Sequence, residues 1–115
     1  DVAGLARSFD YAVAAAAPGR TAASPLTEER RIGLLEHFRT EAERAFFDAY
    51  HAVLDAAPRR WVGPDDGAAL LDLFMLEKSA YEVCYEAANR PTWLPIPLRG
   101  LHAIAHRLLT PEPVA

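Results

Sequence analysis

One cysteine, Cys84, in 115 residues excludes an intrachain disulfide framework. A single thiol fits a reducing, cytoplasmic setting, and its expected place is as a small residue packed in a helix. The six glycines are scattered at positions 4, 19, 33, 63, 67 and 100, so no cluster exists to build a phosphate-cradling loop ahead of a helix. Lysine occurs once, as Lys78, inside a helical pattern where Glu82 one turn on is its expected partner. Phosphoryl transfer requires a catalytic-loop Asp, a separate metal-binding Asp and a basic residue on the phosphates. No such set appears, so the chain by itself is expected to carry no catalytic residue.

Long apolar runs are missing too. Arg, Asp and Glu interrupt every stretch well before the roughly 20 residues that span a bilayer, so no membrane segment is expected. The run Tyr11 to Ala17 resembles a short signal core, but the acidic Asp1 start and the lack of a basic leader argue against one. An excess of positive charge is absent: the formal charge is −4 and the pI about 5.5, which speaks against a nucleic-acid partner.

What is present is helical periodicity. Half of the residues, 51%, are hydrophobic, enough to bury a core or to dock onto one. Four helices and no strand are expected. The first covers residues 1–17, with Leu5, Phe9 and Ala12 or Val13 at helical spacing, and ends at Pro18-Gly19. A loop over 18–26 precedes a long amphipathic helix capped by Thr27. In it Ile32, Leu35, Phe38, Ala42, Ala45 or Phe46, Ala49 and Val53 form an apolar stripe reaching to Ala57, before Pro58. Turn formers fill 59–67. The third helix covers 68–89, with Leu70, Leu71, Phe74, Tyr81 and Tyr85 as its main apolar or aromatic contacts. Prolines at 91, 95 and 97 interrupt it, and Pro97 at the first helical position starts a fourth that runs to Leu109. Residues 1–109 form one helical subdomain, and 110–115 a frayed tail.

Among possible sites, His102 and His106 stand four apart, the spacing of a metal pair, but no zincin Glu and no third ligand accompany them. A solvated face is expected, and no metal ligand is assigned. His37 and His51 carry no pattern. The densest polar and aromatic grouping lies at the end of the third helix, where Lys78, Glu82, Glu86 and Asn89 follow one side and Tyr81, Tyr85 and Ala88 the next. Sugar hydroxyls both donate and accept, so carboxylates and amides hold them, while a ring C–H face packs on Trp or Tyr. Glu82, Glu86 and Asn89 could supply the first and Trp93 the second. The same residues admit a plainer arrangement, with Glu82 answering Lys78, Glu86 answering Arg90, and the tyrosines in the core.

Two segments resemble a known family. Asp1-Val2-Ala3-Gly4-Leu5-Ala6-Arg7-Ser8-Phe9-Asp10-Tyr11-Ala12 is similar to the stretch after the acidic metal-binding motif of maltokinases, including those fused to trehalose synthase. Leu76-Glu77-Lys78, Tyr81-Glu82, Tyr85-Glu86, Asn89-Arg90-Pro91, Trp93 and Ile96-Pro97-Leu98-Arg99-Gly100 resemble the same family's C-terminal signature. The resemblance implies the helical C-lobe of an aminoglycoside-phosphotransferase-like, protein-kinase-like fold, in which ATP and Mg2+ are bound by upstream lobes and not by this segment. It implies an acceptor sugar, maltose, phosphorylated to maltose 1-phosphate for α-glucan synthesis. Carried over, the substrate-side residues are Tyr81, Glu82, Tyr85, Glu86, Asn89, Arg90 and Trp93, while Arg7 and Asp10 tie the first helix to the catalytic core. The partners implied are a small sugar, the upstream lobes and a fused or associated trehalose synthase. The chain departs from the family's pattern at Cys84 and Ala88, beside the proposed sugar face. Glucosamine kinase therefore stands as an alternative, and an autonomous helical interaction domain as another.

Overall fold

The computed structural model describes residues 2–17 and 24–111 and is all-α: the described residues hold four α-helices, one short 3-10 turn and no strand. These are α1 (Val2–Ala16), α2 (Pro25–Ala56), α3 (Pro64–Asn89), the 3-10 turn Pro91–Trp93 and α4 (Pro95–Leu109). The expected break at Pro18-Gly19, the Asp1 start and the last four residues of the tail lie outside the described residues. Packing divides the chain into two compact units, one of Asp1–Arg7 with Val62–Ala115 and one of Ser8–Trp61. Residues of α1 contribute to both.

Helix boundaries follow proline chemistry more closely than composition suggested. The cap of α2 is Ser24, not Thr27: Ser24 is extended (φ −160°, ψ 158°), its Oγ accepts from the Thr27 amide at 3.2 Å, and Pro25 follows at a position that needs no donor. Glu28 then sits in the first turn, where the helix dipole favours a negative charge. A side-chain hydrogen bond from Arg31 is the main force holding its carboxyl below the ordinary range. At the far end Ala57, placed before Pro58, is pushed to ψ 137° and stops the helix. α3 begins at Pro64 instead of residue 68, because Pro64 opens the helix and Asp65 and Asp66 complement its N-terminus. α4 likewise begins at Pro95, two residues before the expected Pro97.

In the unit of Ser8–Trp61, the later part of α1 lies against α2. Phe9 meets Phe46 edge-on with centroids 6.3 Å apart, and Asp10 reaches Arg39 at 3.7 Å. Arg31 donates to the Ala16 carbonyl at 3.1 Å and to that of Ala17, satisfying acceptors at the end of α1. Asp10 therefore ties α1 to α2. No residue of α2 is buried, and the expected apolar stripe is largely open: Ile32, Phe38 and Val53 are exposed, Val53 by 71%.

In the other unit α3, the 3-10 turn and α4 pack together, and the start of α1 joins them. Small residues permit close approach: Ala3 and Ala6 of α1, and Pro97 and Gly100 of α4, are buried with Ile104. On α3 the buried positions are Ser79, Glu82 and Glu86, at i, i+3 and i+7. Their spacing is that of an inward helical face, but all three are polar. Of the apolar and aromatic residues of α3, Leu70, Phe74, Tyr81 and Tyr85 are exposed and Leu71 is half-buried. Cys84, expected to pack, is exposed as a free thiol.

Candidate functional site

The polar face of α3 is built around two arginines. Arg7, 3% exposed, donates from Nε to Glu82 Oε1 at 2.7 Å, a buried ion pair between residues 75 apart in the chain. Glu82 thus answers Arg7, not Lys78. Burying two charges costs several kcal/mol each unless geometry and further hydrogen bonds compensate, so the pair fixes where α1 meets α3 more than it adds stability. Gly100 of α4 makes room for it, because the Arg7 guanidinium occupies the space where a Cβ on residue 100 would stand.

One turn further along, Glu86 is 1% exposed and engages Arg90 through both oxygens, at 2.9 and 2.5 Å. Arg90 is only half shielded, and this fork-to-fork pairing sets the plane of its guanidinium. Its Cζ lies 4.5 Å from the Trp93 ring centroid and 5.6 Å from that of Tyr85. Tyr85 in turn stacks with Tyr81, centroids 6.3 Å apart and planes 21° apart, and Lys78 sits 5.6 Å over the Tyr81 ring. The outcome is a ladder of cation and ring from Lys78 through Tyr81, Tyr85 and Arg90 to Trp93.

Of the seven residues read as substrate-side, five lie on or beside this ladder: Tyr81, Tyr85, Asn89 and Arg90 are exposed and Trp93 is half-buried. Asn89 donates its side-chain amide to the Tyr85 carbonyl at 2.9 Å, which leaves its side-chain oxygen out of that bond. The remaining two, Glu82 and Glu86, are sealed behind it and bonded to arginines. Glu86 and Trp93 are joined through Arg90, so the carboxylate orients the cation that stacks on the indole. Arg7 joins the first helix to α3 through Glu82. No local signal in the sequence pairs those two, since nothing in the periodicity around either residue points to the other.

Ser79 completes the buried polar face. It is fully enclosed, and its Oγ has no hydrogen-bond partner among the described residues. A buried hydroxyl that satisfies no bond costs about 1–3 kcal/mol of desolvation. Ser79→Ala is therefore expected to leave stability unchanged or raise it by about 1 kcal/mol, read as a higher denaturation midpoint with an unchanged slope. A loss greater than about 1 kcal/mol would mean that the hydroxyl is bonded in solution.

His102 and His106 are exposed, as a solvated face requires, with ring centroids 6.0 Å apart. Among the described residues no group of three or more His, Cys, Asp or Glu stands close enough to hold a metal ion. No helix of those residues is long and apolar enough to cross a membrane.

No protein-family model and no solved structure matches the chain. Among curated proteins it is similar to V-set and immunoglobulin domain-containing protein 10 of Mus musculus, 31% identical over 67 residues. The match covers 58% of this chain and only 12% of that protein's length. Immunoglobulin domains are β-sandwiches, whereas the described residues here form helices alone, so this likeness does not extend to that fold.

Proposed function

We propose that this chain is the acceptor-sugar-binding C-terminal segment of an ATP-dependent sugar kinase of the maltokinase type, within the helical C-lobe of a protein-kinase-like fold. The observation that supports the reading is the ladder of exposed Tyr81, Tyr85 and Arg90 with half-buried Trp93, and Asn89 beside it. Aromatic faces pack on the C–H side of a pyranose, and guanidinium and amide groups bond its hydroxyls. Glu82 and Glu86 serve this wall by holding arginines instead of by touching the sugar. ATP and Mg2+ belong to the upstream lobes, whose residues do the chemistry. The exposed apolar side chains of α2 suit docking against those lobes. Maltose is the acceptor this reading favours, since the two carboxylates that an amino sugar's cation would seek are already neutralised by Arg7 and Arg90.

The test is made on the full-length protein. Tyr85→Ala and Trp93→Ala are expected to raise the KM for maltose about 2- to 12-fold, as loss of an aromatic contact worth about 0.5–1.5 kcal/mol implies. The KM for ATP should stay the same, because only ground-state sugar binding is removed. Unchanged sugar kinetics in both variants would reduce the ladder to surface packing. Faster turnover with glucosamine than with maltose in an ADP-release assay would move the assignment to glucosamine kinase.

A further inference from the structure

α4 carries a pair of ring nitrogens that the sugar reading does not use. Thr110 Oγ1 donates to the His106 carbonyl oxygen at 2.6 Å, and the same Oγ1 lies 3.4 Å from His106 Nδ1. A hydroxyl has one proton to give. With that proton committed to the carbonyl, Oγ1 would accept from Nδ1–H, an arrangement that leaves the lone pair of a neutral imidazole on Nε2. An outer hydrogen bond that fixes the ring tautomer in this way is how metal-ligating histidines are held.

His102 stands one turn earlier on the same helix, its ring 6.0 Å from that of His106 and inclined by 33°. With metal–nitrogen bonds of about 2.1 Å, two imidazoles on one ion have ring centres roughly 5–6 Å apart, so side-chain rotation alone brings both onto a shared ion. The helix beneath them is anchored, with Gly100 and Ile104 buried and Arg107 bonded to Asp72 at 2.6 Å. That last pair also neutralises the nearest cation along the chain.

We propose that His102 and His106 form a two-imidazole site for Cu2+, Ni2+ or Zn2+, with Thr110 as the positioning residue for His106. Imidazole selects these ions over the oxygen-seeking Mg2+ and Ca2+. Two protein ligands leave the other positions to water, which makes the site open and exchangeable. It stands independently of the sugar-kinase reading.

Carbethoxylation of histidines in the full-length protein, mapped by peptide mass spectrometry with and without each ion, tests the site. Zn2+ or Cu2+ should protect His102 and His106 while His37 and His51, also exposed, stay reactive, and Mg2+ should protect none. His102→Ala should abolish protection at His106. Thr110→Val should weaken Zn2+ binding by about tenfold or more, the usual effect of losing an outer partner, whereas Thr110→Ser, which keeps the hydroxyl, should restore it. Equal protection of all four histidines, absence of protection at excess metal, or a Thr110→Val variant that binds as tightly as the parent would each overturn the proposal.

Discussion

Arg7→Ala is expected to destabilise the unit of Asp1–Arg7 with Val62–Ala115 by about 3–5 kcal/mol, the cost of leaving a buried charge without its partner. The abandoned group is the Glu82 carboxylate, whose side chain is 10% exposed and which accepts from Arg7 at 2.7 Å. Glu82→Ala should cost a similar amount, because the guanidinium it strands is 4% exposed. The double variant Arg7→Met with Glu82→Leu removes both charges and keeps the volume, so it should lie much closer to the parent than either single change. Urea denaturation followed by circular dichroism would give the midpoints, and the cycle of singles and double isolates the coupling. A single-variant loss below about 1 kcal/mol is the exposed-pair value and would mean that solvent reaches this pair.

The all-α fold was legible in the sequence because helix signals are local. Prolines at 25, 64 and 95 open three helices, and Pro58 and Pro91 follow the ends of two. Even the errors in the boundaries were errors over which residue begins a turn, as at Ser24 against Thr27. Facing was not legible. Periodicity places a residue on a face but does not say which face turns inward, and on α3 the rule that the apolar face does so fails: Ser79, Glu82 and Glu86 are enclosed while Phe74 and Tyr81 are open. The rule fails because its premise, that charges stay in water, lapses once each carboxylate has a guanidinium. One of those partners, Arg90, is four residues away, where local i, i+4 pairing can reach it. The other, Arg7, is 75 residues away, and only tertiary packing brings it to Glu82. For the same reason the candidate site divided into an exposed aromatic rank and a sealed acidic one, a separation that spacing alone cannot supply.

Gly100 offers the sharpest test of that enclosed pair, since its substitution should have the opposite sign to those of two other helical glycines. Gly33 in α2 and Gly67 in α3 have open space where a Cβ would stand. Ala at either should stabilise by about 0.5–1 kcal/mol, through lower backbone entropy in the unfolded chain and higher helix propensity. At Gly100 the same methyl would meet the Arg7 Cζ at 2.6 Å and Nη2 at 2.7 Å, closer than unbonded atoms approach. Arginine is long and flexible, but here its far end is enclosed and bonded to Glu82, so it cannot retreat without breaking that bond. Gly100→Ala is therefore expected to cost about 1–3 kcal/mol, the range for overpacking a filled site. In the Arg7→Met, Glu82→Leu background the guanidinium is gone, and the same substitution should cost less than it does in the parent. A non-additive cycle of this kind ties residue 100 to the ion pair. If Gly100→Ala raised stability as much as Gly33→Ala, Arg7 would have another place to go, and the contact of α1 with α4 through that side chain would not hold.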